Sequence, residues 1–573
     1  MKVSDYIANF LVRKGITHIW GYQGTMIAHL VDSIGKNPFI ENHSVYNEQA
    51  AAFAACGYAK ASGKCAAAYA TSGPGAMNLL SGVADAYYDS VPVLFITGQI
   101  NTNEYTGVPE LRQQAFQEAN VVEIMRPVTK YAVFVESADQ IAGELEKAWE
   151  IANSGRKGPV LLDIPMNVQR MDIELKENST EMKSTLKQGE TDIADKVIAY
   201  IEQAKRPLLI LGNGINKDSE SRIKVKKLVE QWKIPVISSL LGSDILEENN
   251  PCYFGTIGAA YGHRYANLIA YEKCDLIISL GSSLCRRQTG IQSEKFAEKA
   301  QIIRVDIDPV ELKRKVHEDE IQFNTDANVL VEELLSRTLH GNYSEWLAIC
   351  KNIKEKLSDF DNCCEERQPN KFIRAISECI EDAIVCCDVG QHMMWAMQSI
   401  GGKNNRILYS GGHGAMGFAL PAAMGAYYSV EGKNLVVCIA GDGSFQMNIQ
   451  ELQTIVRENL SICMIVLNNN SLGLIRQQQD DFFDKAHYGA TKECGFSSPR
   501  FCEIAQAYGI HSYKIHSAAE LKECLQQKME GPKFVEVILP EDTKAVPKTY
   551  FGQKMINQKP YIPEELFKKL MNV

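Results

Sequence analysis

The feature that most constrains the fold is a pattern that occurs three times along the 573-residue chain. Short runs of β-branched and other apolar residues alternate with segments of helical periodicity, which predicts parallel strands joined by helices that cover both sheet faces. We therefore predict three doubly wound α/β domains with mainly parallel sheets. The predicted strands lie at 66–70, 93–97 and 160–164, then at 207–211, 235–239, 276–280 and 302–307, and finally at 383–388, 435–440, 462–467 and 534–538.

Two polar stretches, at 171–191 and 359–370, interrupt this pattern and have the composition of linkers. They divide the chain into predicted domains and a tail. The predicted boundaries are 1–168, 190–340 and 371–547 for the domains and 548–573 for the tail.

The composition excludes several classes of partner. A net charge of −10 and a pI near 5.7 argue against a surface for nucleic acid or anionic membranes. The apolar runs are far shorter than the ~20 residues of a membrane span, and the first residues do not have the pattern of a signal peptide. The 16 cysteines are scattered, many of them in apolar strand-like segments, which favours buried reduced thiols and a cytoplasmic protein.

The third predicted domain, 371–547, carries the strongest chemical signal, because two of its predicted strands end in polar turns. GDGS at 441–444 follows one strand, and NNN at 468–470 follows the next. Doubly wound folds bind ligands at the carboxyl ends of their strands, and side-chain oxygens of Asp and Asn suit Mg²⁺. Alone, however, GDG is also common in ordinary strand–turn–helix units.

GDG followed 27 residues later by Asn469 resembles the fingerprint of thiamine-diphosphate (ThDP)-dependent enzymes, in which GDG precedes NN by some two dozen residues. The resemblance implies that Asp442, Asn469 and the main-chain carbonyl of Ser471 bind Mg²⁺.

Other segments of the third predicted domain resemble further cofactor-binding segments of this family. The turn 389–395 resembles the diphosphate-binding turn, and 410–417 resembles the segment at the aminopyrimidine ring, where Met416 would separate the two rings of ThDP. Taken alone, Met416 is typical of core packing. The contacts implied in this stretch are Val389, Gly390, Gln391, His392, Gly414, Met416, Gly441, Asp442, Gly443, Ser444, Asn469, Leu472, Gly473 and Leu474.

The first predicted domain, 1–168, contains the remaining motifs that resemble this family. NEQ at 47–49 opens a predicted helix of small residues and resembles the family's EQ-A-A segment, and TSGPGAMN at 71–78 resembles its TSGPGxxN turn. An acid at a helix start is ordinarily favoured by the helix dipole. The resemblance implies instead that Glu48 is the catalytic acid on the aminopyrimidine ring. It also implies cofactor contacts by Gly24, Gly73, Pro74 and Asn78.

Two short segments resemble those at the substrate mouth of acetolactate synthases. They are QAFQE at 114–118 and TK at 129–130, which implies catalytic roles for Gln117 and Lys130. A lysine in such a position is otherwise typical of a solvated surface.

The segment 281–290 resembles the family's GxRFDDRxTG, in which the last arginine approaches the substrate carboxylate and a flavin. This implies a catalytic role for Arg287, whose planar guanidinium suits a carboxylate. It also implies a non-redox FAD near Asp306 and Asp326. The pattern is incomplete, because Ser283 replaces its first arginine and Cys-Arg replaces its two acids.

Collinear motifs from about residue 2 to 540 thus resemble the acetolactate synthase family. The resemblance implies that pyruvate is decarboxylated and that its two-carbon unit is joined to a second carbonyl, giving 2-acetolactate with a 2-oxoacid acceptor. It further implies a homodimer or homotetramer, since Glu48 and Asp442 meet across the subunit interface in this family, and it leaves room for a small regulatory subunit. Simple 2-oxoacid decarboxylation is an alternative. A dinucleotide-dependent dehydrogenase is not indicated, because no predicted strand precedes G-x-G-x-x-G.

Three departures concern the acceptor. GYQGT at 21–25 replaces the family's GYPGG, extra residues lie at 104–113, and Gln478 replaces a tryptophan. Since all three border the implied substrate channel, an acceptor larger than a 2-oxoacid, such as a nucleotide-linked keto-sugar, is an alternative.

Overall fold

The structure, a computed structural model, describes residues 1–106, 108, 110–173, 192–258, 260–401, 403–550 and 556–572. These residues form three six-stranded sheets in which every strand pair is parallel. The predicted class, doubly wound α/β with three domains, is confirmed. Most of the predicted linker 171–191 lies outside the described residues.

The first sheet has the order β2-β1-β3-β4-β6-β5. Its strands are β1 (His18–Gly21), β2 (Glu41–Ser44), β3 (Ala66–Ala70), β4 (Val93–Gln99), β5 (Tyr131–Phe134) and β6 (Val160–Pro165). The helices around it are α1 (Val3–Arg13), α2 (Ala28–Lys36), α3 (Glu48–Ser62), α4 (Pro74–Tyr88), α5 (Val121–Met125), α6 (Ile141–Asn153) and α7 (Met166–Arg170).

The second sheet has the order β12-β11-β10-β7-β8-β9. Its strands are β7 (Pro207–Leu211), β8 (Val236–Ser238), β9 (Tyr253–Thr256), β10 (Leu276–Leu280), β11 (Gln301–Asp306) and β12 (Ile321–Asn324). Its helices are α8 (Ile193–Gln203), α9 (Ser219–Trp232), α10 (Arg264–Leu268), α11 (Arg286–Thr289), α12 (Pro309–Leu312) and α13 (Ala327–Leu335), and α14 (Ser344–Asn362) leads to the third domain.

The third sheet has the order β14-β13-β15-β16-β18-β17, which repeats the topology of the first. Its strands are β13 (Ile384–Cys387), β14 (Arg406–Tyr409), β15 (Val436–Gly441), β16 (Ile462–Asn468), β17 (His511–Ile515) and β18 (Lys533–Ile538). The helices around it are α15 (Gln368–Cys379), α16 (Gln391–Ser399), α17 (Ala419–Ser429), α18 (Asp442–Phe445), α19 (Leu452–Arg457), α20 (Gly473–Phe482), α21 (Phe501–Ala507) and α22 (Ala518–Gln526). The last helix, α23 (Glu564–Met571), lies in the C-terminal segment that follows this domain.

The first and third domains share one hydrophobic core, because α3 packs directly against α17. Both helices are rich in alanine and carry a glycine at the crossing. A Cβ on Gly57 would lie 2.2 Å from the carbonyl oxygen of Ala422, and one on Gly425 would lie 1.8 Å from that of Ala54. The small residues of α3 therefore allow the two helix backbones to approach closely.

Two segments differ from the prediction. The predicted linker 359–370 is mostly helical, because α14 continues to Asn362, with its buried Asp361 held by Arg264 (2.6 Å), and α15 begins at Gln368. In the predicted tail, α23 packs by Leu570 on the core of the second domain. No helix in the described parts of the chain has the length and apolar character needed to cross a membrane.

Candidate functional site

Asp442 lies at the carboxyl end of β15, where the chain turns into α18. Its carboxylate is buried and accepts hydrogen bonds from the Ser498 hydroxyl (2.5 Å) and the Ser471 amide (3.2 Å). Burial raises the pKa of Asp442 to about 6, although these hydrogen bonds act in the opposite direction. The structure therefore brings Asp442 and Ser471, two of the three predicted Mg²⁺ ligands, into contact.

Asn469 begins the turn after β16 and lies beside Gln391. Its amide nitrogen is 3.3 Å from Gln391 Oε1 and 2.8 Å from the hydroxyl oxygen of Thr543. Gly473 lies against the same pair, since a Cβ there would be 2.1 Å from Gln391 Oε1 and 2.8 Å from Asn469 Nδ2. A residue with a side chain would thus displace both amides, which explains glycine at the start of α20.

His392 lies in the first turn of α16, with its imidazole against Gly441. Burial lowers the pKa of His392 to about 3, so the ring is neutral. Its Nε2 is buried and has no hydrogen-bond partner among the described residues. A buried polar atom without a partner is costly, and its place beside the GDG turn fits a polar ligand group such as a phosphate.

The predicted aminopyrimidine segment, 410–417, lies against the GDG turn at 441–443. Asp388, at the end of β13, accepts hydrogen bonds from the amides of Gly417 (3.0 Å) and Ala419 (2.8 Å). The Met416 methyl lies 3.6 Å from the position of a Cβ on Gly443, and the Leu472 side chain lies against the same glycine. Met416 and Leu472 thus form an apolar wall beside the buried polar cluster.

A buried ion cluster of the first domain holds the start of that segment. Asp89 accepts hydrogen bonds from the amides of Gly411 (3.0 Å) and Gly412 (2.7 Å). The Lys60 ammonium lies 2.7 Å from Asp89 and 2.9 Å from Asp85, and these neighbours raise its pKa despite its burial. The predicted aminopyrimidine segment is therefore fixed by α3 and α4 as well as by its own sheet.

Glu48 is the first residue of α3 and is 6% exposed. Its Oε2 accepts a hydrogen bond of 2.9 Å from the amide of Asn78, and its Oε1 lies 2.9 Å from the position of a Cβ on Gly75. The carboxyl group of Glu48 thus lies over the first turn of α4.

Other predicted residues of the first domain converge on the same turn. Gly73 has a φ of 57°, and a Cβ there would lie 2.6 Å from the carbonyl oxygen of Gln117. Only glycine combines this conformation with so close a contact. Gly24 lies against the side chain of Thr71, which precedes the turn. One cluster at this turn therefore contains the predicted residues Gly24, Glu48, Gly73, Pro74, Asn78 and Gln117.

Polar contacts link this cluster to the third domain of the same chain. Asn448 donates to the side-chain oxygen of Gln49 (3.2 Å) and to the carbonyl oxygen of Gly417 (2.8 Å). The buried carboxylate of Glu451 accepts a hydrogen bond of 2.9 Å from the amide of Tyr46. The segment before α3 is thus held by residues that follow the GDG turn.

A cavity of about 1180 Å³ opens at the carboxyl ends of the second sheet and reaches the other two domains. Asn213, Gly281 and Asp326 line it from the turns after β7, β10 and β12, and Asp306 lines it from the last position of β11. The strand order corresponds to 3-2-1-4-5-6, and in that fold a dinucleotide binds where the order reverses, here between β7 and β10. These residues therefore fit a dinucleotide such as FAD.

Arg287 also lines this cavity, and its guanidinium donates a hydrogen bond of 3.3 Å to the carbonyl oxygen of Gly411. Leu474 and Gln478 line the side formed by α20. Lys130 lies elsewhere, because its ammonium donates to the carbonyl oxygens of Ile151 and Ser154 at the end of α6. Burial lowers the pKa of Lys130.

Several residues that support the site have no motif that identifies them from sequence. Thr543 contacts the side-chain amides of both Gln391 and Asn469, and Ser498 contacts Asp442. Both lie far along the chain from the motifs they support. Asp388 carries a weak signal, since it is the acid that directly precedes the predicted diphosphate turn.

Comparisons with known proteins agree with this arrangement. Three family models match the chain: the N-terminal TPP binding domain of thiamine pyrophosphate enzymes at 1–124, their central domain at 194–334, and their C-terminal TPP binding domain at 388–537. The large subunit of acetolactate synthase isozyme 2 from Escherichia coli (strain K12) is 33% identical over 548 residues, which cover 94% of this chain and 96% of the relative.

Two further relatives come from distant organisms. Chloroplastic acetolactate synthase 1 of Oryza sativa subsp. japonica is 34% identical over 567 residues, covering 95% of this chain and 86% of the relative. The acetolactate synthase large subunit of Lactococcus lactis subsp. lactis (strain IL1403) is 33% identical over 552 residues, covering 95% and 93%. With this similarity over nearly the whole chain, and with the motif residues gathered at the ends of the first and third sheets, the protein belongs to the acetolactate synthase family of thiamine-diphosphate-dependent enzymes.

Proposed function

We propose that this protein decarboxylates pyruvate and joins the resulting two-carbon unit to a second 2-oxoacid, with 2-acetolactate as the product of two pyruvates. The relatives named above are acetolactate synthases that are similar over at least 86% of their own length. The observation that carries the proposal is the buried polar cluster around Asp442, Asn469 and Gln391. It lies beside His392 Nε2, a buried atom to which none of the described residues offers a hydrogen-bond partner.

In this proposal Asp442, Asn469 and the carbonyl oxygen of Ser471 bind Mg²⁺, and His392 and Gln391 contact a diphosphate. The donor set fits, because Mg²⁺ takes oxygen ligands and is commonly completed by phosphate oxygens and water. The fixed amide of Asn469 and the buried carboxylate of Asp442 supply such oxygens without rearrangement of the backbone. When bound, ThDP would supply a nucleophilic carbon for the keto group of pyruvate and a cationic ring that takes up the electrons released by decarboxylation.

With ThDP bound, Glu48 would donate a hydrogen bond from its carboxyl group to the aminopyrimidine ring. Its place fits this role, because the carboxyl is buried and is fixed by Asn78. Met416 and Leu472 exclude water from the reacting region by their apolar side chains. Removing water strengthens the polar contacts inside such a site.

We further infer a homodimer or a homotetramer built from it. Glu48 and Asp442 belong to different domains, and no contact between these two side chains is present within the described chain. A second copy whose first domain faces the third domain of the first copy would complete both sites. A small regulatory subunit, of the kind that goes with a large subunit, is a further partner to test.

The large cavity is the proposed site of FAD and of the substrate channel. Asp306 and Asp326 are the proposed flavin contacts, and Arg287 is the proposed contact of the substrate carboxylate. Gln117 lies beside Gly73, which supports its proposed position at the reacting carbons. A substrate contact by Lys130 requires its ammonium to leave the two carbonyl oxygens at the end of α6.

A second candidate function keeps pyruvate as the donor but uses a larger acceptor, such as a nucleotide-linked keto-sugar. The observation that favours it is that Gln478, rather than a tryptophan, lines a cavity of about 1180 Å³. A smaller polar side chain at this wall leaves more room for a bulky polar acceptor.

The two candidates are separated by products. The protein is incubated with ThDP, Mg²⁺ and ¹³C-labelled pyruvate, alone and with 2-oxobutyrate or a nucleotide-linked keto-sugar, and products are identified by mass spectrometry. Our proposal predicts labelled 2-acetolactate from pyruvate alone. Acetaldehyde as the sole product would indicate a simple decarboxylase, and a labelled branched sugar formed in preference would indicate the larger acceptor. A flavin spectrum released on denaturation tests the FAD site.

The proton role of Glu48 is tested by Glu48→Gln. Glutamine keeps the shape but cannot supply the carboxylic proton, so turnover should fall by a factor on the order of 10²–10⁴, whereas ThDP still binds. The matched control is Glu136→Gln on an exposed loop, which should be fully active. A Glu48→Gln enzyme with near-normal turnover would exclude this role.

A further inference from the structure

Two histidines and a glutamate lie together at one edge of the first sheet, away from the Asp442 cluster. His18 is on β1, and Glu41 and His43 are on β2. The register pairs His18 with Glu41, and residues two apart on a strand face the same side, so all three side chains share one sheet face. On this face Trp20 and the neighbouring strands contribute apolar side chains to the core, which makes the three polar residues unusual.

The three potential ligand atoms are spaced like those of a metal site. His18 Nδ1 is 3.0 Å from His43 Nε2 and 3.7 Å from Glu41 Oε2, and His43 Nε2 is 4.0 Å from Glu41 Oε2. A point equidistant from the three atoms lies about 2.1 Å from each, which agrees with zinc–nitrogen distances of about 2.0–2.1 Å and zinc–oxygen distances of about 2.0–2.2 Å. Among the described residues, this is a group of His and acidic side chains that could hold an ion.

The second nitrogen of His43 is also held as it is in metal sites. His43 Nδ1 is 3.1 Å from Glu458 Oε2, which also accepts a hydrogen bond of 2.7 Å from the Tyr428 hydroxyl. A carboxylate on the second ring nitrogen fixes the tautomer that leaves the other nitrogen free to bind a metal. Glu458 and Tyr428 belong to the third domain, so the cluster spans the contact between two domains.

The exposure and charge of the three residues suit an ion as well. The His18 and His43 side chains are 15% and 5% exposed, whereas Glu41 is 69% exposed and leaves an open side for a water ligand. The carboxylate of Glu41 supplies negative charge that favours a bound divalent cation.

We propose that His18, His43 and Glu41 bind a zinc-class divalent ion, with water as the fourth ligand. The ion ties β1 and β2 together and, through Glu458, fastens the edge of the first domain to the third. It is separate from the Mg²⁺ site, with which it shares no residue. Without an ion, His18 and His43 are joined by a hydrogen bond between their rings, which also stack with a centroid distance of 5.2 Å.

The test uses the untagged full-length enzyme, stripped with a chelator and returned to ThDP and excess Mg²⁺. Zn²⁺ binding is measured by equilibrium dialysis with metal analysis, and Co²⁺ is added in parallel for the visible spectrum of a low-coordinate site. We expect stoichiometric Zn²⁺ and a higher midpoint of thermal unfolding. His18→Gln and His43→Gln should weaken Zn²⁺ binding at least a hundredfold, and Glu458→Gln should weaken it about 10–100-fold.

Two controls keep the result interpretable. His340→Gln removes an exposed histidine and should bind Zn²⁺ like the parent enzyme. If His43→Gln does not fold, Glu41→Gln alters only an exposed side chain and should still weaken binding. Failure of the parent enzyme to retain Zn²⁺ in excess Mg²⁺, or unchanged binding in the histidine variants, would overturn the proposal; the latter result would place the ion elsewhere, such as at Asp442.

Discussion

Gly473→Ala tests whether the close packing of Gln391 and Asn469 determines cofactor affinity. The new Cβ would lie 2.1 Å from Gln391 Oε1, well inside contact distance, so the amide must move. Gln391 Oε1 accepts hydrogen bonds from the Thr543 hydroxyl (3.0 Å) and from Asn469 (3.3 Å). Losing both at roughly 1 kcal/mol each costs about 2 kcal/mol, which corresponds to a roughly 30-fold weaker binding of ThDP with Mg²⁺.

The assay is a titration of the stripped enzyme with ThDP at fixed Mg²⁺, followed by intrinsic fluorescence and by recovered activity. Gly143→Ala is the matched control, because it lies within α6 and a Cβ there meets no atom within 4 Å. That variant should bind ThDP normally and should gain about 0.5–1 kcal/mol in stability.

The sign of the effect makes the test decisive. Gly473 begins α20, where alanine is intrinsically the better helix former, so without the clash the substitution would be neutral or stabilising. Unchanged ThDP affinity in Gly473→Ala would show that the amide pair does not form the cofactor site in the way described.

Two further predictions concern stability. Burial raises the pKa of Glu451 to about 7 from 4.5, so its contribution to stability is full below pH 4.5 and is lost as the pH rises through 7, by up to about 3 kcal/mol. Glu451→Gln should therefore flatten the decline of the unfolding midpoint between about pH 4.5 and 7, whereas the exposed Glu564→Gln should not, and a parent-like profile would contradict the reasoning. Gly425→Ala places a Cβ 1.8 Å from a backbone oxygen of α3 and should lower the free energy of unfolding by about 2 kcal/mol, measured by denaturant titration against Gly35→Ala, where no atom lies within 4 Å.

The sheets show which strands a sequence reveals. Every strand predicted from an apolar run is present, and α3 spans the predicted helix. The strands that were not predicted are β1 and the edge strands β2, β5, β9, β12, β14 and β17. Central strands of parallel sheets are buried on both faces and read as continuous apolar runs, whereas an edge strand such as Glu41–Ser44 is half exposed and polar.

The residues of the candidate site likewise form two groups, those that a sequence motif identifies and those that no motif identifies. The turns at the ends of the central strands carry short motifs, so Asp442, Asn469 and Glu48 are identified from sequence. Thr543 and the Lys60–Asp89 ion pair are not, because their partners are distant in the chain and become neighbours only after folding. The position of Lys130 at the end of α6 likewise depends on tertiary packing.

The repeated topology explains why the predicted cofactor residues come from two domains. The first and third sheets have the same strand order. The Gly24 loop and the Gln391 turn follow β1 and β13, which are the first strands of these sheets in chain order. Likewise, the Gly73 turn and the GDG turn follow β3 and β15, which are the third strands in chain order. Because ligands bind at the carboxyl ends of parallel strands, each domain offers the same edge to one cofactor placed between them. The second sheet has a different order and places its cavity where that order reverses, so it suits a ligand of another class.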